Sequence, residues 1–282
     1  MDNKKKLPEE IMLTEASDKE VERQMQKMSR RSLLQGAAAV AGVFLGFHFL
    51  DAQPNDDGIP WPFRRALEVN QDLWQDLTST HHLAPTYPRS SITHARTNGD
   101  LGLSDDVDID SWRLHVEGLQ PFGAAQNTTA DFTLEDIKKL PQYSMITEFR
   151  CIEGWNYIMQ WKGARFADFM RAHSPELKTD DNGNPLPPVQ GHPVYVNYVS
   201  IETPDKGYYV GLDMESALHP QTLLCYEMNG QPLTQEHGAP LRLIIPVKYG
   251  VKNIKRLGTI RYTNQRPRDY WAEQGYDWYA EL

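Results

Sequence analysis

The spacing of apolar residues changes twice along the first quarter of the chain. Residues 36–50 form an apolar run that only His48 interrupts, whereas residues 1–28 are charged and poor in apolar side chains. Residues 51–66 are rich in proline, aspartate and glycine, a composition typical of linkers. Beyond them, apolar residues recur at the intervals of packed helices and strands, so we expect the folded body to cover residues 67–282.

Within the body, the apolar pattern predicts many short strands and few helices. Helical spacing covers residues 63–77 and 166–172, and a further helix opens at Thr133, where Asp136 completes a capping pattern. The predicted strands cover residues 112–118, 143–150, 194–201, 223–228, 241–245 and 259–263. Because strands and helices do not alternate regularly, the sequence predicts an α+β fold with mixed or antiparallel sheets and peripheral helices.

An arginine pair directly precedes the apolar run. Arg30 and Arg31 in this position are typical of a twin-arginine export signal, and an ordinary signal anchor is the alternative. The run is shorter than the roughly 20 residues that span a bilayer comfortably, although residues 33–50 suffice where the bilayer thins. We therefore expect a charged cytoplasmic leader over residues 1–28 and a signal or anchor over residues 29–50. The body is then periplasmic, either released or still anchored.

Overall charge and missing motifs exclude several classes of function. The net charge of −9 and the pI near 5.5 argue against a nucleic-acid surface, which needs dense basic patches. The sequence has no Gly-rich dinucleotide motif, no Walker motif and no Cys-x-x-Cys-His haem site. Of the two cysteines, Cys225 lies in an apolar segment typical of a buried strand, although a disulfide is an alternative in an exported protein.

The other cysteine, Cys151, is the strongest chemical signal in the chain. It follows Arg150 in the segment EFRCIEGW, residues 148–155, and therefore lies among aromatic side chains. A thiolate that a neighbouring cation stabilises is either a soft metal ligand or a nucleophile. No histidine is close in sequence to activate the thiol, although a distant one can fold nearby. A purely structural cysteine is the third alternative.

A second signal lies about a hundred residues downstream. Residues 237–255 read HGAPLRLIIPVKYGVKNIK, which predicts a buried strand bounded by prolines and followed by a loop with three lysines. Backbone amides near Gly250 can approach an oxyanion closely, while Arg242 offers a forked positive charge and Lys255 a point charge. The loop therefore suits a phosphate-bearing cofactor better than a metal ion alone.

Four motifs, taken in this order, resemble the sulfite oxidase-like molybdopterin oxidoreductases. They are Arg-Cys-x-Glu-x-Trp, Met-Asn-Gly-x-x-Leu, His-Gly-x-Pro-x-Arg and Tyr-Gly-x-Lys-x-x-Lys, and the similarity extends over residues 93–279. The resemblance is to the haem-free periplasmic branch, which includes protein-methionine-sulfoxide reductases. It implies the sulfite oxidase-type molybdopterin-binding fold and a molybdenum–molybdopterin cofactor, with no haem in this chain.

The same resemblance implies roles for individual residues, with Cys151 as the thiolate ligand of molybdenum. The residues implied to hold the pterin and its phosphate are His237, Arg242, Asn253, Ile254 and Lys255, with Ser200 from a predicted strand. A segment that departs from the family pattern adds His94, Arg96, Thr97 and Asn98, of which Arg96 reaches the metal site. Cys151, Arg96 and Tyr276 are implied to be catalytic; Tyr276 would donate a hydrogen bond to the metal-bound oxygen and shape the substrate pocket, with simple core packing as its alternative.

By resemblance, the reaction is a two-electron oxygen-atom transfer, and sulfoxide reduction is the expected form. Sulfite oxidation is second, because the chain lacks the C-terminal dimerisation domain of sulfite oxidases. Electrons then pass through a partner, which in this branch is a membrane cytochrome b. A non-catalytic module that binds an anion or a membrane partner is a hypothesis of another class.

Overall fold

Helix α1 (Asp18–Asp51) runs without interruption through the arginine pair and the apolar run. The pattern of contacts divides the chain into two compact units, and the first unit ends at Pro54, shortly after this helix. The part Leu34–Asp51 is long and apolar enough to cross a membrane, with a mean hydropathy of 1.3 and none of it buried within the protein. Signal sequences have the same composition. The structure, a computed structural model, describes residues 18–77, 82–104, 106–120, 128–182 and 184–282. Much of the predicted leader, residues 1–17, therefore lies outside the described residues.

The second unit begins at Asn55. Its elements in chain order are β1 (Asn55–Asp56), β2 (Ile59–Pro60), α2 (Trp61–Leu77), β3 (Leu114–Leu119), β4 (Thr128–Phe132), α3 (Leu134–Lys138), β5 (Gln142–Arg150), β6 (Asn156–Arg165), α4 (Phe166–His173), β7 (Tyr198–Glu202), β8 (Tyr209–Asp213), α5 (Met214–Leu218), β9 (Leu223–Met228), β10 (Gln231–Pro232), β11 (Arg242–Ile244) and β12 (Thr259–Thr263).

Most strands of the second unit belong to two five-stranded sheets. The first sheet has the order β10-β9-β6-β5, with β11 also paired to β9, and the second has the order β4-β3-β12-β7-β8. Strand β12 pairs with β3 in parallel, and the other described ladders are antiparallel. These pairings confirm the predicted α+β class with mixed and antiparallel sheets.

One hydrophobic core joins residues from both sheets. Val116 and Ile260 from the second sheet and Leu224 and Leu243 from the first are all fully or almost fully buried in the same cluster. Each such side chain contributes roughly 1.5–3 kcal/mol by leaving water. The core therefore fixes the two sheets against each other and, with them, the loops at their ends.

Several local predictions are confirmed, and others need correction. Thr133 caps α3 with Asp136 in the predicted reciprocal pattern, and the strands predicted over residues 223–228 and 259–263 are present. The strand predicted over residues 194–201 begins only at Tyr198. Strands β4, β6 and β8 were not predicted at all, although β6 is the longest strand of the first sheet.

Part of the segment predicted as a linker is ordered. Strands β1 and β2 pair within residues 51–66, and α2 follows directly, two residues ahead of its predicted start. Arg64, a 1% exposed side chain, stabilises this segment because its guanidinium donates hydrogen bonds to the carbonyls of Asp56 and Asp57. Proline, aspartate and glycine here build a tight turn, in which Asp57 and Gly58 both have positive φ, instead of a flexible connection.

Candidate active site

A cavity of about 280 Å³ opens where loops of the second unit converge. Four stretches of chain line it: residues 96–101, 149–157, 250–255 and 271–276, together with Tyr208 and Arg242. The second stretch is the connection between the antiparallel strands β5 and β6, and the third follows β11. Loops held at the ends of rigid strands are the usual place for binding and catalytic groups.

Cys151 lines this cavity from the tight turn that joins β5 to β6. Its amide donates to the carbonyl of Trp155 over 2.9 Å, and the amide of Gly154, whose φ is +89°, donates to the carbonyl of Cys151 over 3.0 Å. The residue is 7% exposed and its thiol is free, as is that of Cys225, so the structure excludes the disulfide alternative. The side-chain amide nitrogen of Asn98 lies 3.9 Å from the sulfur.

The cation beside the thiol is not the one that the sequence suggested. Arg150 turns away to form a salt bridge with Glu148, with 2.7 Å between guanidinium nitrogen and carboxylate oxygen. Burial raises the pKa of the Cys151 thiol above its ordinary value, and the charge of Glu153 raises it further. The positive charge of the Arg96 guanidinium, and not that of Arg150, acts in the opposite direction and lowers this pKa.

Aromatic rings form one wall of the cavity, and most of them were not predicted from the sequence. Phe149 and Tyr157 stack with ring centroids 4.8 Å apart, and Trp155 stacks on Tyr157 at 5.9 Å. The Arg96 guanidinium lies 4.9 Å from the centre of the Trp155 ring, a favourable cation–π arrangement. The signal that could have found this wall is the alternation of large apolar residues in β6, which makes Tyr157 a neighbour of Phe149 across the ladder.

A second group of rings is formed by Tyr208 and by residues 270–276. Tyr208, Tyr270, Trp271 and Tyr276 follow one another edge to face, with centroid separations between 5.2 and 5.5 Å. Of these, Tyr208, Trp271 and Tyr276 line the cavity, and Tyr276 is 38% exposed. Tyr276 therefore has access to both the cavity and solvent.

Two buried nitrogen atoms near the cavity lack hydrogen-bond partners among the described residues. They are Nε of Arg242 and Nε2 of His237. Arg242 donates its other nitrogens to the carbonyls of His237 and Asn253, and Nδ1 of His237 lies 2.8 Å from the Thr234 hydroxyl. Burial lowers the pKa of His237, and the positive charges of Arg242 and Lys255 lower it further. An unpaired buried nitrogen is costly, so this arrangement fits an anionic ligand.

Of the three lysines in the predicted anion-binding loop, only Lys255 lines the cavity. Its ammonium donates to the carbonyls of Asn98 and Gly99, each over 3.0 Å, and burial lowers its pKa to about 8. Lys252 is instead buried in an ion pair with Asp269, and Lys248 is buried over a tyrosine ring. Lys255 and Arg242, the two cationic groups that the sequence analysis assigned to an anionic ligand, both line the cavity.

The other predicted site residues divide between the cavity and the scaffold around it. Asn98 and Asn253 line the cavity, yet the Asn253 side chain is engaged with main-chain groups of residues 245, 248 and 249. Five predicted site residues are not among the lining residues: His94 and Thr97, which are exposed, His237 and Ile254, which are buried, and Ser200, which lies within strand β7.

Cys151 is the metal donor that stands out in this cavity. Among the described residues, no group of three or more His, Cys, Asp or Glu side chains is arranged to hold a metal ion. A soft metal at Cys151 would take further ligands from a bound group, and the unpaired nitrogens of Arg242 and His237 suit an anionic group. Chemically, the cavity can thus hold a metal–cofactor unit with an aromatic-walled space beside it.

A family model and several known proteins match the sequence of this chain. The family model described as oxidoreductase molybdopterin binding domain matches residues 101–271. YedZ1 of Azospira oryzae, provisionally named a protein-methionine-sulfoxide reductase subunit, is 32% identical over 267 residues, which cover 93% of this chain and 91% of the relative. The catalytic subunit MsrP of protein-methionine-sulfoxide reductase from Ralstonia nicotianae is 30% identical, over 61% of this chain and 50% of the relative.

The chain thus spans nearly all of the Azospira relative but only half of the Ralstonia one. Among solved structures, sulfane dehydrogenase SoxCD from Paracoccus pantotrophus aligns with a TM-score of 0.47 and 16% identity, over 67% of this chain and 46% of that one. The family match covers more than half of the chain and includes Cys151, Arg242 and Lys255. The chain therefore belongs to the family of oxidoreductases with a molybdopterin-binding domain, the sulfite oxidase-like enzymes.

Proposed function

We propose that this enzyme is a periplasmic molybdenum-cofactor oxidoreductase that reduces sulfoxides by two-electron oxygen-atom transfer. The observation that carries the proposal is the free Cys151 thiol, which lines a cavity together with Arg242 and Lys255. Two of the relatives are named as methionine-sulfoxide reductase subunits, which supports sulfoxides as the substrate class. The roles of the individual cavity residues depend on this assignment.

In this proposal, the cofactor is held at two ends. Cys151 would ligate molybdenum, and Arg242, His237 and Lys255 would bind the anionic part of the pterin, since Arg242 and His237 each have an unpaired buried nitrogen. When bound, the cofactor supplies two-electron redox chemistry at the metal. The side chains of Asn253, Ile254 and Ser200 then stabilise the scaffold, since the first is engaged with main-chain groups and the other two lie outside the cavity lining.

The remaining cavity residues bind and orient the sulfoxide. A sulfoxide oxygen is a strong hydrogen-bond acceptor, and Arg96, Asn98 and Tyr276 are donors on the cavity lining. The aromatic wall of Trp155 and its neighbours accommodates the apolar substituents of the sulfur and excludes water from the reacting atoms. Overall, one sulfoxide, two protons and two electrons give one thioether and one water.

The electrons come from a partner, which we infer to be a membrane redox protein such as a cytochrome b. Helix α1 supports this inference, because its part Leu34–Asp51 has the length and composition of a membrane span. Export through the twin-arginine route, with Arg30 and Arg31 as its signal, leaves the body on the periplasmic side. We accordingly propose that the chain consists of a leader (1–28), a signal or anchor (29–50) and a catalytic body.

The test is to purify the exported protein from a molybdate-sufficient host and to measure metal content and turnover together. We expect near-stoichiometric molybdenum by mass spectrometry and oxidation of a reduced viologen dye on addition of a sulfoxide. Sulfite with an oxidised acceptor is the matched alternative substrate. Faster turnover of sulfite would replace the proposal by sulfite oxidation, and folded protein without molybdenum would favour a binding module.

A further inference from the structure

Arg64 connects the start of the second unit to the turn that carries Tyr276. Its side chain is 1% exposed, although it projects from a helix near the N-terminal end of the unit. One terminal nitrogen donates to the carbonyl of Tyr276 over 2.9 Å, and the other donates to the carbonyl of Ala272 over 2.8 Å. The same guanidinium holds the carbonyls of Asp56 and Asp57. One planar fork therefore ties two segments that are about two hundred residues apart.

The turn that Arg64 holds supplies part of the cavity wall. Trp271 and Tyr276 both line the cavity, and their rings meet edge to face at 5.2 Å. The amide of Tyr276 donates to the carbonyl of Trp271, so the two residues close one loop of chain. At its beginning, the turn is held by the buried carboxylate of Asp269, which accepts from the amides of Trp271 and Ala272. Arg64 is what holds its far end.

Close packing between β1–β2 and the same turn supports this connection. A Cβ added to Gly58 would lie 2.0 Å from the carbonyl oxygen of Glu273, and one added to Gly275 would lie 2.7 Å from the Ile59 side chain. Both glycines have positive φ, so their backbones are suited to the close approach. The β1–β2 hairpin and the turn over residues 272–276 are therefore packed directly against each other.

From these contacts we propose that Arg64 is a positioning residue for the substrate wall, which sets Tyr276 and Trp271 at the mouth of the cavity. Its kinetic consequence rests on the proposed sulfoxide reduction. Arginine is required because only its rigid fork can donate to four carbonyls at once, whereas a lysine ammonium has three donors on one atom. Tyr276 belongs to the substrate side of the cavity, so a displaced turn weakens substrate binding more than it slows the chemical step.

The experiment compares Arg64→Lys with Arg65→Lys in the full-length chain. Arg65 is the matched control, because it lies on the same helix but its ion-pair partner is the carboxylate of Glu68 at the surface. Hydrogen–deuterium exchange reports on amides 273–276, each of which donates to a carbonyl within residues 269–272. We expect Arg64→Lys to speed exchange there about tenfold, by losing one or two hydrogen bonds, and to leave amides 151 and 154 unchanged.

Steady-state kinetics supply the second readout. Arg64→Lys should raise KM for the sulfoxide about tenfold while kcat changes less than about threefold, the pattern of lost binding. Arg65→Lys should match the parent in both assays. Gly275→Ala is a second variant in case Arg64→Lys does not fold, since it separates the hairpin from the turn and should give the same two changes.

Three outcomes would overturn the proposal. Unchanged exchange at 273–276 in folded Arg64→Lys would mean that Arg64 does not hold the turn. An equal increase at amides 151 and 154 would mean that Arg64 only stabilises the fold. Faster local exchange with an unaltered KM would mean that the turn does not position substrate. If the parent protein reduces no sulfoxide, the proposed function fails, but the exchange measurement still decides whether Arg64 positions the turn.

Discussion

The cavity wall and the interior behind it each contain one free cysteine, and the wall has a half-buried lysine where the interior has fully buried ones. Cys151 lies in a turn at the cavity, whereas Cys225 lies within strand β9 and is fully buried. Burial raises the pKa of both thiols, that of Cys225 to about 12. The two thiols differ in that Cys151 lines the cavity and feels the charge of Arg96, whereas Cys225 does not line the cavity.

The lysines repeat this contrast. Lys255 reaches the cavity and donates to main-chain carbonyls of the opposite loop, whereas Lys248 is 2% exposed and lies over the Tyr279 ring. Burial lowers the pKa of both, to about 8 for Lys255 and to about 7 for Lys248. A residue type alone does not tell which of the two regions it occupies. Substituting each member of the two pairs in turn tests its assignment to one region.

Replacing each cysteine by serine should give the largest difference. Cys151→Ser should lower turnover and bound molybdenum by more than about 100-fold, since losing a metal ligand costs more than losing one of its outer partners. Cys225→Ser should stay within about twofold of the parent in both measurements and cost about 1 kcal/mol of stability. Elemental analysis and dye-coupled turnover, measured on the same preparations, check this. Equal losses of molybdenum and turnover in the two variants would contradict the assignment of Cys151 to the metal site and of Cys225 to the interior.

Alkylation of the cofactor-free protein should sharpen the same contrast. We expect iodoacetamide at pH 9 to modify Cys151 at least about 30-fold faster than Cys225, which reacts only when strand β9 opens. Peptide mass spectrometry over time gives both rates in one sample, and unfolded protein supplies the rates without structure. A ratio near one in the folded protein would show that Cys151 is closed off from the cavity.

The lysine pair should differ less. Lys255→Met should lower cofactor affinity about tenfold, because a single charge-assisted hydrogen bond contributes roughly 1.5–3 kcal/mol. Lys248→Met, the matched control, should bind cofactor as the parent does. The molybdenum retained per chain after stepwise dilution measures the difference. If both variants release cofactor equally, Lys255 has no direct contact with it.

The sequence predicted several residues that line the cavity, but it missed most of the aromatic rings in the cavity wall. Cys225 as a buried strand residue is confirmed, and the strand around it has the predicted bounds. Strand β6 was not predicted because polar Gln160 and Lys162 interrupt its apolar residues. The stacking of Tyr157, which lies in this strand, was therefore not predicted either. The alternation in β6 was nevertheless a usable signal, since a strand with one buried face alternates in this way.

The directions of the lysines could not be predicted from spacing. Lys248, Lys252 and Lys255 follow at intervals that would share one face of an α-helix, but the chain forms a short 3-10 turn over Gly250–Lys252 and then straightens. Lys252 therefore turns inward to Asp269, and Lys255 turns to the cavity. Long-range partners of this kind, like the contact of Arg64 with Tyr276, depend on how both sheets pack.

The smallest expected effect is the contribution of Lys248 to the pH dependence of folding stability. Its folded pKa of about 7 lies below the ordinary value of 10.5, so between these values the unfolded chain binds a proton that the folded chain does not. Folding stability therefore rises with pH across this window and is lowered most below pH 7. Between pH 7.5 and 8.5 the parent should gain about 1 kcal/mol relative to Lys248→Met, as measured by denaturant unfolding. Parallel curves for the two proteins would mean that Lys248 keeps its charge in the interior, held by Tyr279 and Glu281.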